Sequence, residues 1–515
     1  MSKEFTLTST AGRLAVHSFS GILLSYIIAF LGTVVVARLL EPVEFGLLSL
    51  ALFVPSLLMF LGDFGVSSAV TKYVAESRWR GDGLEGVFIY TGLYFDIALG
   101  VVLSLVGLSL SSFITQVVFL KPSVVPLVYL ASLQAFTLTI YHFVFSALLG
   151  MEKAGATGAM MPMYYMVQYG AGPMLFLYGL GTEGFMIGYV IGPLISAVAA
   201  SLVLWRGVPP TRPSFAVLKK MMKYGGPVSG GSALITLLGQ FYNFMIGRVA
   251  SPAHIGYYSA ATRLSFINGL ITSPVRSATF PALSKLDISS ESESIKKVFH
   301  YSVKFLTVLQ VPLGIWFALL STQIILTIFG KAYSEASLYL ALYALLWLYA
   351  GTGDLMYQAL LLGSGKTGYL GKFLLYGFLG GLAIGSVLIP FWGVLGLQVT
   401  LLLNQWPSYF FLMRYAKKVC DVALPLSSLL RIYASSLIGS VPVVFIVFMP
   451  VHEYIQIFAS AFAMLFVYLL ALGKFKALTE GDLTVFENSC SGLPHGDRMA
   501  HIAVLVVRRF LHSTS

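Results

Sequence analysis

Residues 14–36 read LAVHSFSGILLSYIIAFLGTVVV, a run of apolar and small side chains without a single Asp, Glu, Lys or Arg. About 20 such residues in a helix, rising 1.5 Å each, cross the roughly 30 Å hydrocarbon core of a bilayer. FGLLSLALFVPSLLMFLG from 45 and LIGSVPVVFIVFM from 437 are at or near that length. Inside lipid every backbone N–H and C=O has to be satisfied within the protein, so spans are helices or a closed barrel, and continuous apolar runs exclude the alternation of barrel strands. Composition agrees: charged residues make up 10% of the chain and hydrophobic ones 57%, against about 25% charged in soluble domains. The first run is too long, and lacks the small-residue cleavage site, for a removable signal peptide, and is expected to stay as the first span.

Continued along the chain, this reading gives an all-α polytopic membrane protein with fourteen spans: 14–37, 45–66, 84–109, 124–149, 156–179, 184–205, 225–247, 255–279, 298–320, 336–362, 369–390, 393–413, 430–449 and 453–473. The cations test the map independently, because cytoplasmic loops are enriched in Lys and Arg. Of the 32 in the chain, 24 fall at the N-terminus, in every second loop and in the tail, 4 (Arg38, Lys121, Arg248, Lys331) in the intervening loops and 4 within spans. Both termini are therefore expected in the cytoplasm of a cell whose plasma membrane holds the chain. The net charge of +11 then faces the anionic inner leaflet and calls for no nucleic acid. Cys420 and Cys490 lie on the reducing side, with no metal-site spacing, and no disulfide is expected.

GSGKTG at 363–368 has the spacing of a dinucleotide loop, but that loop needs a strand in front and a helix behind. Here it joins the tenth and eleventh spans, so it reads as a turn, and no nucleotide is expected. GMEKAG at 150–155 repeats its form 213 residues earlier. ARLLEPVEFGLLSLA from 37 aligns with GRVASPAHIGYYSAA from 247 at an offset of 210, pairing Arg38 with Arg248, Pro42 with Pro252 and Gly46 with Gly256; GTEGF from 181 pairs with GVLGL from 393. Six spans are followed by six equivalent spans in the same orientation, the parallel-repeat plan of a secondary transporter with two lobes about a midplane cleft. The expected domains are an N-lobe at 1–210, a C-lobe at 211–420, an extra helix pair at 421–475 and a cytoplasmic tail at 476–515.

ARLLEPVEFGLLSLA, with LGDFGVSSAVTKYVAE from 61, FPALSKL at 280–286 and IFGKAYSEASLYL at 328–340, resembles the polysaccharide-transporter (oligosaccharide flippase) branch of the multidrug, oligosaccharidyl-lipid and polysaccharide exporter superfamily. The resemblance covers the chain up to about residue 475. It implies a flippase, not an enzyme, that moves a lipid-linked sugar from the inner to the outer leaflet by alternating access. The partners implied are that sugar and the membrane lipids, with the protein working as a monomer. No cofactor is implied, beyond a coupling proton or sodium ion.

Ionisable groups within spans are costly and mark function by default. Arg263, roughly 12 Å into the eighth span at 1.5 Å per residue, is the first candidate for a cation gripping the substrate phosphate. Arg276 and Lys304 lie nearer the cytoplasmic ends, where snorkelling to the interface is the simpler account. Gln240, Asn243 and Asn268 suit sugar hydroxyls, or serve as interhelical glue. Asp96, His142 and Asp354 are candidates for a coupling network, and Asp63 lies near an inner helix end. Two other readings remain at this point. A cation-coupled drug antiporter of the same fold would want carboxylates in its cavity, and the first span has only His17. A membrane polymerase or ligase of the same sugars would need a large outer loop bearing catalytic groups, and the longest outer loop, 110–123, has no acid or histidine.

Overall fold

The computed structural model describes residues 2–62, 64–284, 291–363, 367–484, 504–505 and 508, and the elements among them are all helical. Asp63 and the Ser364–Lys366 centre of GSGKTG lie outside the described residues. Helix α15 leads into that turn and α16 leaves it, so no strand precedes it and the dinucleotide reading fails on its structural requirement.

Two compact units divide the chain, Met1–Ser259 and Ala260–Ser515. The first holds α1 (Ser2–Leu39), α2 (Pro42–Ala51), α3 (Phe53–Gly62), α4 (Val66–Arg80), α5 (Glu85–Phe113), α6 (Val125–Gly150), α7 (Ala154–Leu175), α8 (Gly181–Gly207), α9 (Phe215–Val249) and the start of α10 (Pro252–Arg263). The second holds the end of α10, α11 (Phe266–Ser284), α12 (Ser292–Leu319), α13 (Ser321–Ile328), α14 (Ala336–Leu345), α15 (Asp354–Gly363), α16 (Thr367–Cys420), α17 (Leu426–Val447) and α18 (Glu453–Lys474).

Each unit has its own core. In the first, Val70, Phe88, Phe143, Leu148, Met160 and Met221 are buried together. In the second, Phe299, Leu306, Met356, Tyr357, Leu412 and Ile432 are. Large apolar side chains also stand on the outside, as with Leu437, Phe445, Phe458 and Phe462 on α17 and α18. Water would penalise such a surface, and lipid does not.

The packing boundary at 259/260 lies beyond the repeat boundary near 210 because α9 is bound into the first unit. Lys121 donates to the Gly247 carbonyl at 2.6 Å and Arg248 to those of Val117 and Val118 at 3.0 and 3.2 Å, cations satisfying carbonyls at helix ends. Nine helical stretches among the described residues are long and apolar enough to span a membrane, ten with the bent pair Ala336–Thr352 and Asp354–Gly363. Two of the nine, Ala154–Gly207 and Gly368–Lys418, run 54 and 51 residues, about 80 Å of helix, which is enough for two crossings each. Helices α9, α10 and α11, where the sequence places its seventh and eighth spans, carry the glycines and polar residues that lower their apolarity.

The repeat is written into the backbone. The 54- and 51-residue stretches break at Gly181 (φ 54°, ψ −147°) and Gly393 (φ 56°, ψ −127°), the paired glycines of GTEGF and GVLGL, in a conformation that other residues scarcely adopt. Three residues on, a Cβ at Gly184 would stand 2.8 Å from the backbone nitrogen of Phe176, and one at Gly396 would stand 2.1 Å from the carbonyl oxygen of Leu388, again one repeat away. Leu120 and Gly330, 210 residues apart, both have positive φ, 57° and 92°. Each introduces a lysine and a single 3-10 turn.

Candidate functional site

In the second unit the interior helices are interrupted. The eighth sequence span is two helices, α10 ending at Arg263 and α11 starting at Phe266, joined through Leu264 and Ser265 by tight bonds from the Leu264 N–H to the Ala261 carbonyl (3.3 Å) and from the Ser265 N–H to the Thr262 carbonyl (3.0 Å). A helix broken in mid-span turns unpaired backbone groups and flanking side chains toward whatever the bundle encloses, the way transporters build binding sites. Arg263 stands on the last turn before the break with its side chain exposed. Asn268 follows one turn beyond it and accepts a 2.6 Å bond from the Gln310 side-chain amide of α12, itself buried. The break therefore carries one guanidinium and one ordered amide pair.

A second interruption lies in the tenth span, where Gly353 (φ 72°) ends a 3-10 segment and α15 turns away by 48°. Asp354 opens α15, with both carboxylate oxygens accepting from the Gln358 side chain at 3.1 Å. Helix α11 packs on both α15 and α12. The two breaks thus belong to one group of helices.

The remaining predicted residues are dispersed. Lys304 on α12 is committed to Asp482: its ammonium lies 3.0 Å from the carboxylate, with side chains only 12% and 6% exposed. The same carboxylate accepts from the backbone N–H and hydroxyl of Thr479 at 2.7 and 2.8 Å, so Lys304 anchors the chain after α18. Arg276 is exposed on α11, two turns after Asn268. In the first unit the Gln240 amide of α9 donates to Ser56 of α3 at 3.2 Å, while Asn243 is half-buried one turn along. Asp96 is buried in α5, and His142 is exposed on α6 with its ring edge-on to Tyr141.

Beside Tyr141 runs a feature that the sequence reading missed, a continuous series of tyrosines inside the first unit. Tyr141 meets Tyr164 at 5.2 Å between ring centres, Tyr164 meets Tyr165 at 4.6 Å, Tyr165 meets Tyr169 at 6.1 Å and Tyr169 meets Tyr189 at 6.1 Å. The Tyr169 hydroxyl shares a 3.0 Å bond with Thr33 of α1, where Gly32 leaves room for the ring. The only signal in the sequence is the spacing 164, 165, 169, one turn of a helix.

At the start of α2 and α10 the aligned motifs touch each other. A Cβ at Gly46 would lie 1.8 Å from the Pro252 carbonyl oxygen, and one at Gly256 would lie 2.0 Å from the Pro42 carbonyl oxygen. The contact is reciprocal, and its four residues are the two aligned Pro and Gly pairs. Glycine is required on both helices because the backbones themselves are in contact.

Long apolar helices, interrupted helices and a repeated backbone plan define a multi-pass membrane protein of transporter build. Within that class the chain belongs to the polysaccharide biosynthesis protein family, whose model matches residues 35–338. Over 326 residues it is 25% identical to the probable low-salt glycan biosynthesis flippase Agl15 of Haloferax volcanii, the match spanning 61% of this chain and 64% of that protein, just under two thirds of its length. Over 395 residues it is 23% identical to the lipopolysaccharide biosynthesis protein WzxC of Escherichia coli, spanning 74% and 76% of the two chains. Its fold is that of the lipid II flippase MurJ in an inward closed conformation, with a TM-score of 0.73 at 16% identity over 90% of this chain and 98% of the other. An inward-facing multidrug resistance MATE transporter is similar with a TM-score of 0.66 at 14% identity, over 77% and 94%.

Proposed function

We propose that this protein turns lipid-linked oligosaccharide, sugar carried on a polyprenyl phosphate or pyrophosphate, from the inner to the outer leaflet of the plasma membrane. The product would feed polysaccharide or glycoconjugate export. The observation that carries the reading is membership of a polysaccharide biosynthesis family over residues 35–338, and the relatives named as flippases or as lipopolysaccharide biosynthesis proteins support it. The protein is a carrier and not a catalyst: it would expose one site alternately to the two leaflets as a monomer, with both termini cytoplasmic. In this reading Arg263, at the α10/α11 break, pairs with the substrate phosphate, since a guanidinium offers a planar pair of donors to phosphate oxygens. Gln240, Asn243 and Asn268 would each bond sugar hydroxyls, Arg276 would add positive charge, and Lys304 would act structurally through Asp482. Asp96, His142 and Asp354 would take part in coupling to a proton or sodium gradient.

The test is turnover of a lipid-linked oligosaccharide in proteoliposomes, read by its exposure to an enzyme added outside. Arg263→Ala should abolish turnover while the protein still inserts and folds, and Arg263→Lys should recover only part of it, because an ammonium lacks the bidentate fork. Normal turnover by a well-folded alanine variant removes Arg263 from the site. No turnover by the wild-type protein above protein-free vesicles removes the function.

A further inference from the structure

On the end of the first unit that the charge pattern assigns to the cytoplasm, two lysines from different helices are held over one aromatic group. The Lys72 ammonium of α4 lies 4.0 Å from the centre of the Tyr224 ring and 5.2 Å from that of Tyr73. The Lys220 ammonium of α9 lies 4.7 Å from the same Tyr73 ring and 5.6 Å from Phe88. Tyr73 stacks on Phe88 at 5.1 Å and meets Tyr224 edge-on at 5.7 Å, so the three rings form one contiguous platform. Lys220 and Tyr224 are one turn apart on α9, and the two helices run backbone against backbone at Gly65 and Gly225.

Two like charges share this platform, and Asp82 attracts Lys220 through space without pairing with it. Neither ammonium has an ion pair among the described residues. The acids of α4 and the α5 start are engaged elsewhere: Glu76 with Arg80 at 2.5 Å, Asp82 with the Ser77 hydroxyl and the Leu84 N–H, and Glu85 with Ser77. Helix α9 has no acid at all, while Lys219 and Lys223 add to its charge. Both lysines share the Tyr73 ring, so their charges stand within about 10 Å of each other, and the aromatic faces hold the flexible stems in place. Asp82 offsets only part of this charge and Lys72 has no ion pair among the described residues, so an added anion is favoured at the platform. Trp79 on α4 and Phe215 on α9, both more than 80% exposed, are residues suited to the lipid interface.

We propose that Lys72 and Lys220, on the Tyr73–Phe88–Tyr224 platform, form a clamp for the phosphate or pyrophosphate of a lipid headgroup at the inner leaflet. Its position at the end of the first unit that the charge pattern assigns to the cytoplasm makes it a loading site, and none of the residues proposed above to hold the substrate belongs to it. The identity of the lipid as a sugar carrier rests on the function proposed above; binding of the headgroup does not. The experiment measures binding of the purified full-length protein to a polyprenyl diphosphate, to phosphatidylglycerol and to inorganic pyrophosphate, beside proteoliposome turnover. Lys72→Gln with Lys220→Gln should weaken binding of the polyprenyl diphosphate roughly tenfold or more, since each lost charge-assisted contact is a factor of that order. Lys72→Arg with Lys220→Arg should retain it, and Tyr73→Leu should weaken it by loosening both ammoniums. An equal loss for phosphatidylglycerol assigns the clamp to bilayer lipid; a loss confined to the diphosphate assigns it to the carrier. Inorganic pyrophosphate bound as tightly as either lipid, or a folded double glutamine variant binding both lipids like the wild type, overturns the clamp. These outcomes are independent of whether the wild-type protein flips sugar.

Discussion

Lys304 and Asp482 lie 178 residues apart in the chain. A lysine near the end of an apolar span reads as a snorkelling cation or as a cavity charge, and nothing nearby in sequence decides between them. Packing decides it. Breaking a buried pair by removing one partner costs about 3–5 kcal/mol, since the other charge is left without compensation. The two sides are not equivalent: without Lys304, Asp482 keeps its bonds to Thr479, whereas without Asp482 the ammonium keeps none that the structure shows. Asp482→Ala should therefore lower the melting temperature more than Lys304→Met. An equal effect would mean that the Thr479 bonds do not hold the carboxylate in place. Asp421, just beyond α16, offers a pH-dependent counterpart. Its carboxylate is 2.8 Å from the Lys296 ammonium, and that hydrogen bond holds its pKa below the ordinary carboxylate value. A carboxylate with a lowered folded pKa contributes stability that is present above its unfolded value, about 3.9, and is lost as pH falls through the folded one. The difference in melting temperature between wild type and Asp421→Asn should thus be present at about pH 6 and shrink steadily below about pH 4. A difference that is constant across that range would sink the assignment. Arg263 was legible as a candidate because a charge inside an apolar run stands out, while the tyrosine series was not, since aromatic residues in a membrane helix look the same whether they touch lipid or one another.

Among the elements, the breaks were harder to read than the helices. Hydropathy averaged over about 19 residues runs straight through Leu264–Ser265 and through Gly353, because a break two residues wide leaves the mean unchanged. Gly181 and Gly393 were legible as an aligned pair, though not as a backbone conformation. Leu120 and Gly330 escaped because leucine in a left-handed turn gives no signal in composition. The contact of α2 with α10 makes the clearest test at this scale. Cysteines at Val43 and Ala253 flank the Pro42 and Pro252 carbonyls that abut Gly256 and Gly46. In a background lacking Cys420 and Cys490 they should cross-link readily. If transport requires these helix starts to part on the outer side, complete cross-linking should stop turnover and a reducing agent should restore it. Gly46→Leu should lower the cross-linking yield, since a side chain there meets the Pro252 carbonyl. Full turnover after complete cross-linking would remove this contact from the transport cycle.

For the whole molecule, orientation follows from charge rather than from packing. The two units each bury an apolar core and each present apolar side chains outward, and a bundle of that kind would sit equally well in a bilayer either way up. What breaks the tie is the distribution of 24 cations against 4 in alternate loops, because Lys and Arg flanking short loops are retained on the cytoplasmic side during insertion. Ser123 lies in the 3-10 turn between α5 and α6, and Ser294 lies at the start of α12; both side chains are exposed. Placed singly in the background lacking Cys420 and Cys490, a cysteine at 123 should react with a membrane-impermeant maleimide in sealed cells. A cysteine at 294 should react only after permeabilisation. The pair also tests the number of crossings, since Ser123 and Ser294 fall on opposite sides only if an odd number of spans separates them, and the sequence map places five there. Labelling of both positions from outside would require an even number and would show that α9, or the broken pair α10 and α11, does not cross the membrane. Labelling of 294 alone would invert the orientation, and with it the assignment of the Lys72 and Lys220 platform to the inner leaflet.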